Sequence, residues 1–178
     1  HRGVCDGAVR LPGENECIAE IAKLSSLMAD GALQRYEVSN YARQEFACRY
    51  NLDVWRGCDY LGLGPSAASR CGLRRWTNFP DLHRMGAGQC RTVETLESLQ
   101  DAQERFFFRL RLAEGFSVER DLLSSKALAP HFPQWEALFA RFVQEGMLIQ
   151  TDVGFAPTDY GMDMCDFMLR ELYLVNDD

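Results

Sequence analysis

The chain has 178 residues, 47% of them hydrophobic, and a formal net charge of −7. This length allows one large domain or two small ones. No apolar run approaches a membrane span and the start, HRGVCDGAVR, is no signal peptide, so no transmembrane segment and a cytoplasmic setting are expected.

Charge is divided along the chain. Residues 1–93 carry 12 Lys+Arg against 10 Asp+Glu, whereas residues 94–178 carry 7 against 16, a net −9. Such a division suggests two units with different surroundings. The chain starts at His1 rather than Met, which is expected of a piece trimmed from something longer.

The stretch LPGENECIAEIAKLSSLMADG predicts a helix with Cys17, Ile21, Leu24 and Met28 on one face. Asn15 is its candidate N-cap and Gly31 its C′ residue. LQRYEVSNYA then reads as a strand, Tyr36 and Val38 alternating with Arg35, Glu37 and Ser39. Helix, glycine and strand in that order are the end of an α/β repeat, whose neighbours are expected before His1. DYLGLGPSAAS predicts a second strand, Tyr60 to Leu63, ending in a glycine turn, and residues 71–91 read as irregular. The domain boundary is expected near residues 85–93, giving units 1–90 and 91–178.

In the second half, Thr92 is a candidate cap for a helix lined by Leu96, Leu99, Ala102, Phe106 and Leu110. Ser117 caps a short helix over VERDLLSS. HFPQWEALFARFVQEG is the clearest helix, with Trp135, Leu138, Phe139, Phe142 and Val143 on one face and Gly146 at C′. MLIQTDVGFAPT predicts a hairpin around Asp152–Gly154, and Thr158 caps a last helix with Met162, Cys165, Leu169 and Leu172 inward. Three helices, a two-stranded wing and a closing helix outline a winged-helix-like domain. Nucleic-acid binding requires Lys and Arg to displace counterions from phosphates, and in a half at −9 the acids outnumber them and repel a duplex, so no nucleic-acid partner is expected.

The seven cysteines, at positions 5, 17, 48, 58, 71, 90 and 165, contain no tight ligand pair. They read as reduced thiols. His1, His83 and His131 show no i, i+4 pairing, and no metal site is expected. Met162, Met164 and Met168 read as core filler rather than as a metal or heme surface. Gly62, Gly64 and Ala67 fit G-x-G-x-x-A, but no helical period comes after them and Pro65 removes a backbone N–H that would face a phosphate. The better reading of that turn is the ligand-binding end of an α/β strand.

Several pieces together carry a resemblance: LP-E before the first helix, YEVSNYAR, CRYNLDVW, DYLGLGPSAAS, FFFRLRLAEGFS and GMLIQTD-GFAPTDYGMDMCDFMLREL. They resemble the carboxyl-terminal part of the radical S-adenosylmethionine family that contains oxygen-independent coproporphyrinogen III oxidase and the HemW heme chaperones. The resemblance implies an α+β chain: the terminal portion of a radical-SAM α/β barrel over residues 1–90, followed by a winged-helix-like domain over 91–178. It also implies S-adenosylmethionine and a 4Fe-4S cluster in the parent protein, porphyrin or heme as ligand, and the missing barrel half as partner.

The family's C-x-x-x-C-x-x-C loop is absent from the sequence. No cofactor is therefore expected to be held by this chain alone, and no catalytic residue is assigned. The chaperone branch shows His-Asn-x-x-Tyr-Trp, where this chain has Tyr50-Asn51-Leu52-Asp53-Val54-Trp55. A phenolate is a known heme ligand, so Tyr50 stays a candidate. The branch also tends to have His where Ala68 stands. By resemblance, Gly64, Ser66, Ala67 and Ala68 contact S-adenosylmethionine, and Glu37, Asn40, Arg49, Tyr50, Asn51 and Trp55 form a substrate or heme rim. A purely structural pairing of Glu37 with Arg49 is the simpler alternative. A stand-alone winged-helix-like interaction module without catalysis is the other function class.

Overall fold

The computed structural model describes residues 10–175. The chain forms two compact units, one of residues 1–34 and 41–47, the other of residues 35–40 and 48–178. Both mix helix and strand.

The first unit is built on helix α1, Glu14–Asp30. Its N-cap is Gly13, not the expected Asn15: the Glu16 carboxylate accepts from the Gly13 N–H at 2.8 Å and from Arg10. A glutamate three residues past the cap can reach back in this way, whereas Asn15 already lies inside the helix. The predicted apolar face exists but is open, with Cys17, Ile21 and Leu24 exposed and Met28 half-buried. Within this unit Ser25 and Tyr41 share a hydroxyl–hydroxyl hydrogen bond of 3.0 Å.

The run LQRYEVSNYA is not one strand. β1, Gln34–Glu37, and β2, Asn40–Ala42, form a two-stranded sheet with a tight turn between them. Glu37, predicted on the polar side, is fully buried.

The second unit continues with helix α2, Arg49–Trp55. The expected strand Tyr60–Leu63 is reduced to a bridge from Tyr60 to Arg70, and Leu61 and Leu63 are exposed. Residues 71–91, expected to be irregular, contribute to an antiparallel meander of β3, Ala68–Cys71, β4, Arg74–Asn78, and β5, Cys90–Thr95, with a short helix α3, Leu82–Gly86, before the last strand. Thr92 therefore sits in a strand and caps nothing. β5 straddles position 90/91.

Helix α4, Ser98–Arg109, begins at Glu97. It has two working faces. Phe106 enters the core, while Asp101, Glu104 and Arg105 face the meander. Arg70, 2% exposed, donates to Asp101 and Glu104, Arg75 donates to Glu104 and Glu94, and Arg105 reaches Asp59 and the carbonyl of Gly72. This network explains why strands as polar as RRWTN hold their place.

The core itself is aromatic. Phe106 stacks on Trp135 with centroids 5.4 Å apart and meets Phe116 edge-on at 5.0 Å; such pairs contribute about 0.5–1.5 kcal/mol beyond their burial. Helix α5, Phe132–Gln144, supplies Trp135, Phe139 and Phe142, as its period predicts, and ends at Gly146 with φ +75°. Ser117 caps the wide helical turn Val118–Leu123 as expected. The hairpin of β7, Leu148–Gln150, and β8, Gly154–Pro157, is joined by β6, Phe116–Ser117, in the order β6-β8-β7. Thr158 accepts from the Gly161 N–H and caps α6, Asp159–Asp163, and the chain breaks at Met164 before α7, Cys165–Leu174, so the last helix is two. Met162 and Met168 are buried. No helix among the described residues is long and apolar enough to cross a membrane.

Candidate functional site

The site starts from Glu37. The backbone beside it is pinned to residues 111–113: the Val38 N–H donates to the Arg111 carbonyl at 3.0 Å and the Ala113 N–H to the Tyr36 carbonyl at 3.1 Å. This bridge turns the Glu37 side chain inward. Its Oε1 accepts from the Ser39 N–H at 3.0 Å and from the Asn40 amide. Its Oε2 is buried with no hydrogen-bond partner among the described residues. The partners are therefore its own turn and not Arg49, which is exposed and makes no ion pair among the described residues.

Helix α2 brings the second wall. Tyr50, Asn51, Val54 and Trp55 share one side of it, at i, i+1, i+4 and i+5. The Asn51 amide donates to the Tyr36 hydroxyl at 3.3 Å. Trp55 is held from behind, edge-on to Phe108 at 5.5 Å and under the Arg111 guanidinium at 4.5 Å. A cavity of about 220 Å³ results, lined by Glu37, Ser39, Asn40, Tyr50, Asn51, Val54, Trp55 and Tyr60. Five of the six rim residues from the sequence lie on it, and Arg49 does not. Sequence reasoning passed over Ser39, Val54 and Tyr60; the adjacency of Tyr60 to the Gly62–Ala68 turn was the signal for the last. The volume is below the usual range for a whole small-molecule pocket, so there is room for only part of a ligand. A buried carboxylate with one open oxygen, between phenols and an indole, suits a flat group carrying an N–H or a positive charge.

Gly64, Ser66, Ala67 and Ala68 line no part of that cavity. Gly64, Ser66 and Ala67 lie on the turn before β3, and Ala68 is the first residue of that strand. Asn78 clamps this turn, its amide donating to the carbonyls of Gly62 at 3.2 Å and Gly64 at 3.0 Å, while Ser69 Oγ accepts from the Gly62 N–H. Ser66 has φ +60° and Gly64 φ +106°, with open space where a Gly64 Cβ would lie. A bulky group can approach the backbone there. Ala68 instead borders a second cavity of about 100 Å³, which shares Tyr60 with the first. The glycines lead into a strand rather than a helix, so a helix N-terminus for a pyrophosphate is missing. Among the described residues no cluster of His, Cys, Asp and Glu suits a metal ion.

No family model matches the chain. It is 29% identical over 137 residues to the radical S-adenosyl methionine domain-containing protein 1, mitochondrial, of Danio rerio, covering 68% of this chain and 31% of that protein. It is 32% identical over 101 residues to the heme chaperone HemW of Escherichia coli K12, covering 50% of this chain and 25% of that one. To the HemW of Mycobacterium tuberculosis it is 30% identical over 125 residues, 67% of this chain and 32% of the relative. The chain thus spans about a third or less of these relatives' length. Its fold matches the coproporphyrinogen III oxidase (HemN) of Escherichia coli, a radical SAM enzyme, with a TM-score of 0.66 at 16% identity, over 91% of this chain and 42% of that one. Homologues and fold neighbour agree, and the chain is a relative of the radical S-adenosylmethionine proteins that include the HemW heme chaperones.

Proposed function

We propose that this chain is the carboxyl-terminal part of a radical S-adenosylmethionine protein that handles porphyrin or heme. Residues 1–90 belong to the end of its α/β barrel and residues 91–178 form a winged-helix-like domain. The observation that supports this reading is the meeting of Glu37, Asn40, Tyr50, Asn51 and Trp55 on one cavity. These residues come from two separate sequence segments and share a chemistry of flat walls around a buried acceptor.

In this reading the cavity takes one edge of a tetrapyrrole and Tyr50, exposed at its mouth, reaches the iron. The Gly64–Ala68 turn lies beside S-adenosylmethionine, and the cluster is held by the missing half of the barrel. The cofactor supplies the radical chemistry and this chain supplies position. HemW relatives support heme handling over oxidase chemistry. The acidic second half supports a role without nucleic acid.

The test is a hemin titration of the gene product that contains this chain. A ferric, tyrosinate-type spectrum that Tyr50→Phe abolishes and Tyr50→His converts to a histidine type is the expected result. A histidine-type spectrum unchanged by Tyr50→Phe overturns the role of Tyr50. Absence of C-x-x-x-C-x-x-C upstream of His1 overturns the radical-enzyme reading.

A further inference from the structure

Trp55 lines the cavity described above, and the next residue, Arg56, lines another. This second cleft is larger, about 550 Å³, and is bordered by Arg109, Glu114, Ser117 and Arg120 as well as Arg56. Three guanidinium groups in one cleft stand out in a chain whose residues 94–178 carry 7 basic groups against 16 acidic ones.

Two acids, Glu114 in the cleft and Asp121 beside it, hold the arginines in place. Asp121, whose side chain is 6% exposed, lies 3.3 Å from Arg109 Nε and accepts from Arg120 Nε and Nη2 at 3.0 and 2.8 Å. It also accepts from the Ser117 N–H at 2.8 Å. Arg56 is fixed at the rim by two hydrogen bonds to Glu114, 2.9 and 2.6 Å. Each acid thus takes the Nε side of an arginine and fixes its plane. Arg109 differs from the others: neither terminal nitrogen has a hydrogen-bond partner among the described residues, and its side chain is 20% exposed. Three positive groups against Glu114 and Asp121 leave the cleft with a positive excess of one. The Glu114 carboxyl is held below its ordinary range by its bonds to Arg56, with Arg109 and Arg120 adding to the field.

Guanidinium edges that are buttressed from behind and free in front match the two parallel acceptors of a carboxylate or the oxygens of a phosphate. We propose that this cleft binds a small oxyanion, a carboxylate or phosphate group of a ligand, on the terminal nitrogens of Arg109, with Arg56 and Arg120 closing around it. The site is separate from the heme reading and does not depend on it.

The experiment is a titration of the 178-residue chain with inorganic phosphate and, in parallel, with succinate at low ionic strength, following arginine side-chain N–H signals by NMR. Saturable millimolar binding that moves Arg109 and is weakened about tenfold in Arg109→Gln is the expected result. A tighter phosphate arm assigns a phosphate ligand and a tighter succinate arm a carboxylate. Because Arg109 neighbours the buried Asp121, the double variant Arg56→Gln/Arg120→Gln is titrated as well, with its fold checked by circular dichroism. These two residues are more exposed, and their loss is expected to weaken binding several-fold. No saturable shift of Arg109, or unchanged affinity in both variants, overturns the proposal.

Discussion

Arg70, on a strand, and Asp101, on a helix 31 residues later, meet in a buried ion pair at 2.5 Å with side chains 2% and 15% exposed. Arg105 completes the arrangement, donating to the other Asp101 oxygen at 2.9 Å. Breaking a buried pair from one side leaves an uncompensated charge, at a cost of about 3–5 kcal/mol. Arg70→Met is therefore expected to destabilise the chain by that order. The double change Arg70→Met/Asp101→Leu should recover part of the loss. Urea denaturation of the two variants measures it, and equal stability of wild type and Arg70→Met would contradict the geometry.

The same carboxylate predicts a pH dependence. Burial alone would push the Asp101 pKa up, but the hydrogen bonds from Arg70 and Arg105 outweigh it and hold the group below its ordinary 3.8. Asp121 is lowered in the same way, through Arg120 and the Ser117 N–H, against its burial. A depressed folded-state pKa contributes stability that is present above the unfolded value and lost as pH falls through the folded one. Melting temperature is expected to be flat above about pH 5 and to fall progressively below about pH 4. Asp101→Asn should start less stable and fall less steeply. Parallel slopes for the two proteins would show that Asp101 does not titrate as described.

Gly161 packs against β7's approach so closely that an added Cβ would run into the Met147 carbonyl. The Thr158 N–H and hydroxyl both bond that same carbonyl, at 2.9 and 3.2 Å. Gly161→Ala has backbone, not a flexible side chain, to displace, and overpacking of this kind costs about 1–3 kcal/mol. Thermal melts should show the loss. Gly86→Ala, where nothing lies within 4 Å, is the neutral control.

Six described cysteines are free thiols, and their environments differ. Burial pushes the Cys165 thiol up to about 11, which leaves almost no thiolate near neutrality. Cys17, Cys48, Cys58 and Cys71 are exposed. Iodoacetamide at about pH 7.5 with peptide mass spectrometry should label these four quickly and Cys165 only with denaturant. Labelling of Cys165 at the rate of Cys58 under native conditions would place it outside the core.

The second half of the fold was legible because its signals are local. Trp135, Phe139 and Phe142 recur at helical spacing, Gly146 ends their helix, and Thr158 starts the next. The meander over residues 68–95 was not, because Arg75 looks like a loop residue until its partners Glu104 on α4 and Glu94 on β5 are known. Long-range charge pairing leaves no period in a sequence. Glu37 was misplaced for a related reason: alternation put it outside, and only the bridge to Leu112 turns it inward. At the candidate site, motif resemblance pointed to Tyr50, Asn51 and Trp55, whose helix then sets them beside Glu37 and Asn40. Tyr60 escaped because its neighbours Leu61 and Leu63 suggested a strand, while the chain there makes a single bridge. The Asn78 clamp on the glycine turn spans 14 and 16 residues, and nothing local announces it.

The order of the meander bears on how this polypeptide can be cut. β4 is its central strand, and β5 covers one of its two edges. A truncation after residue 90 strips that cover and leaves the backbone donors and acceptors of Arg74–Asn78 facing outward. An uncovered strand edge is a template for another copy of itself. Arg75 would lose its Glu94 and Glu104 partners at the same cut, so the fragment's bare edge would sit beside charges with nothing left to balance them. Such a fragment is expected to appear in inclusion bodies or as sheet-rich aggregates, whereas a cut placed in the loop before Ala68 leaves the meander whole.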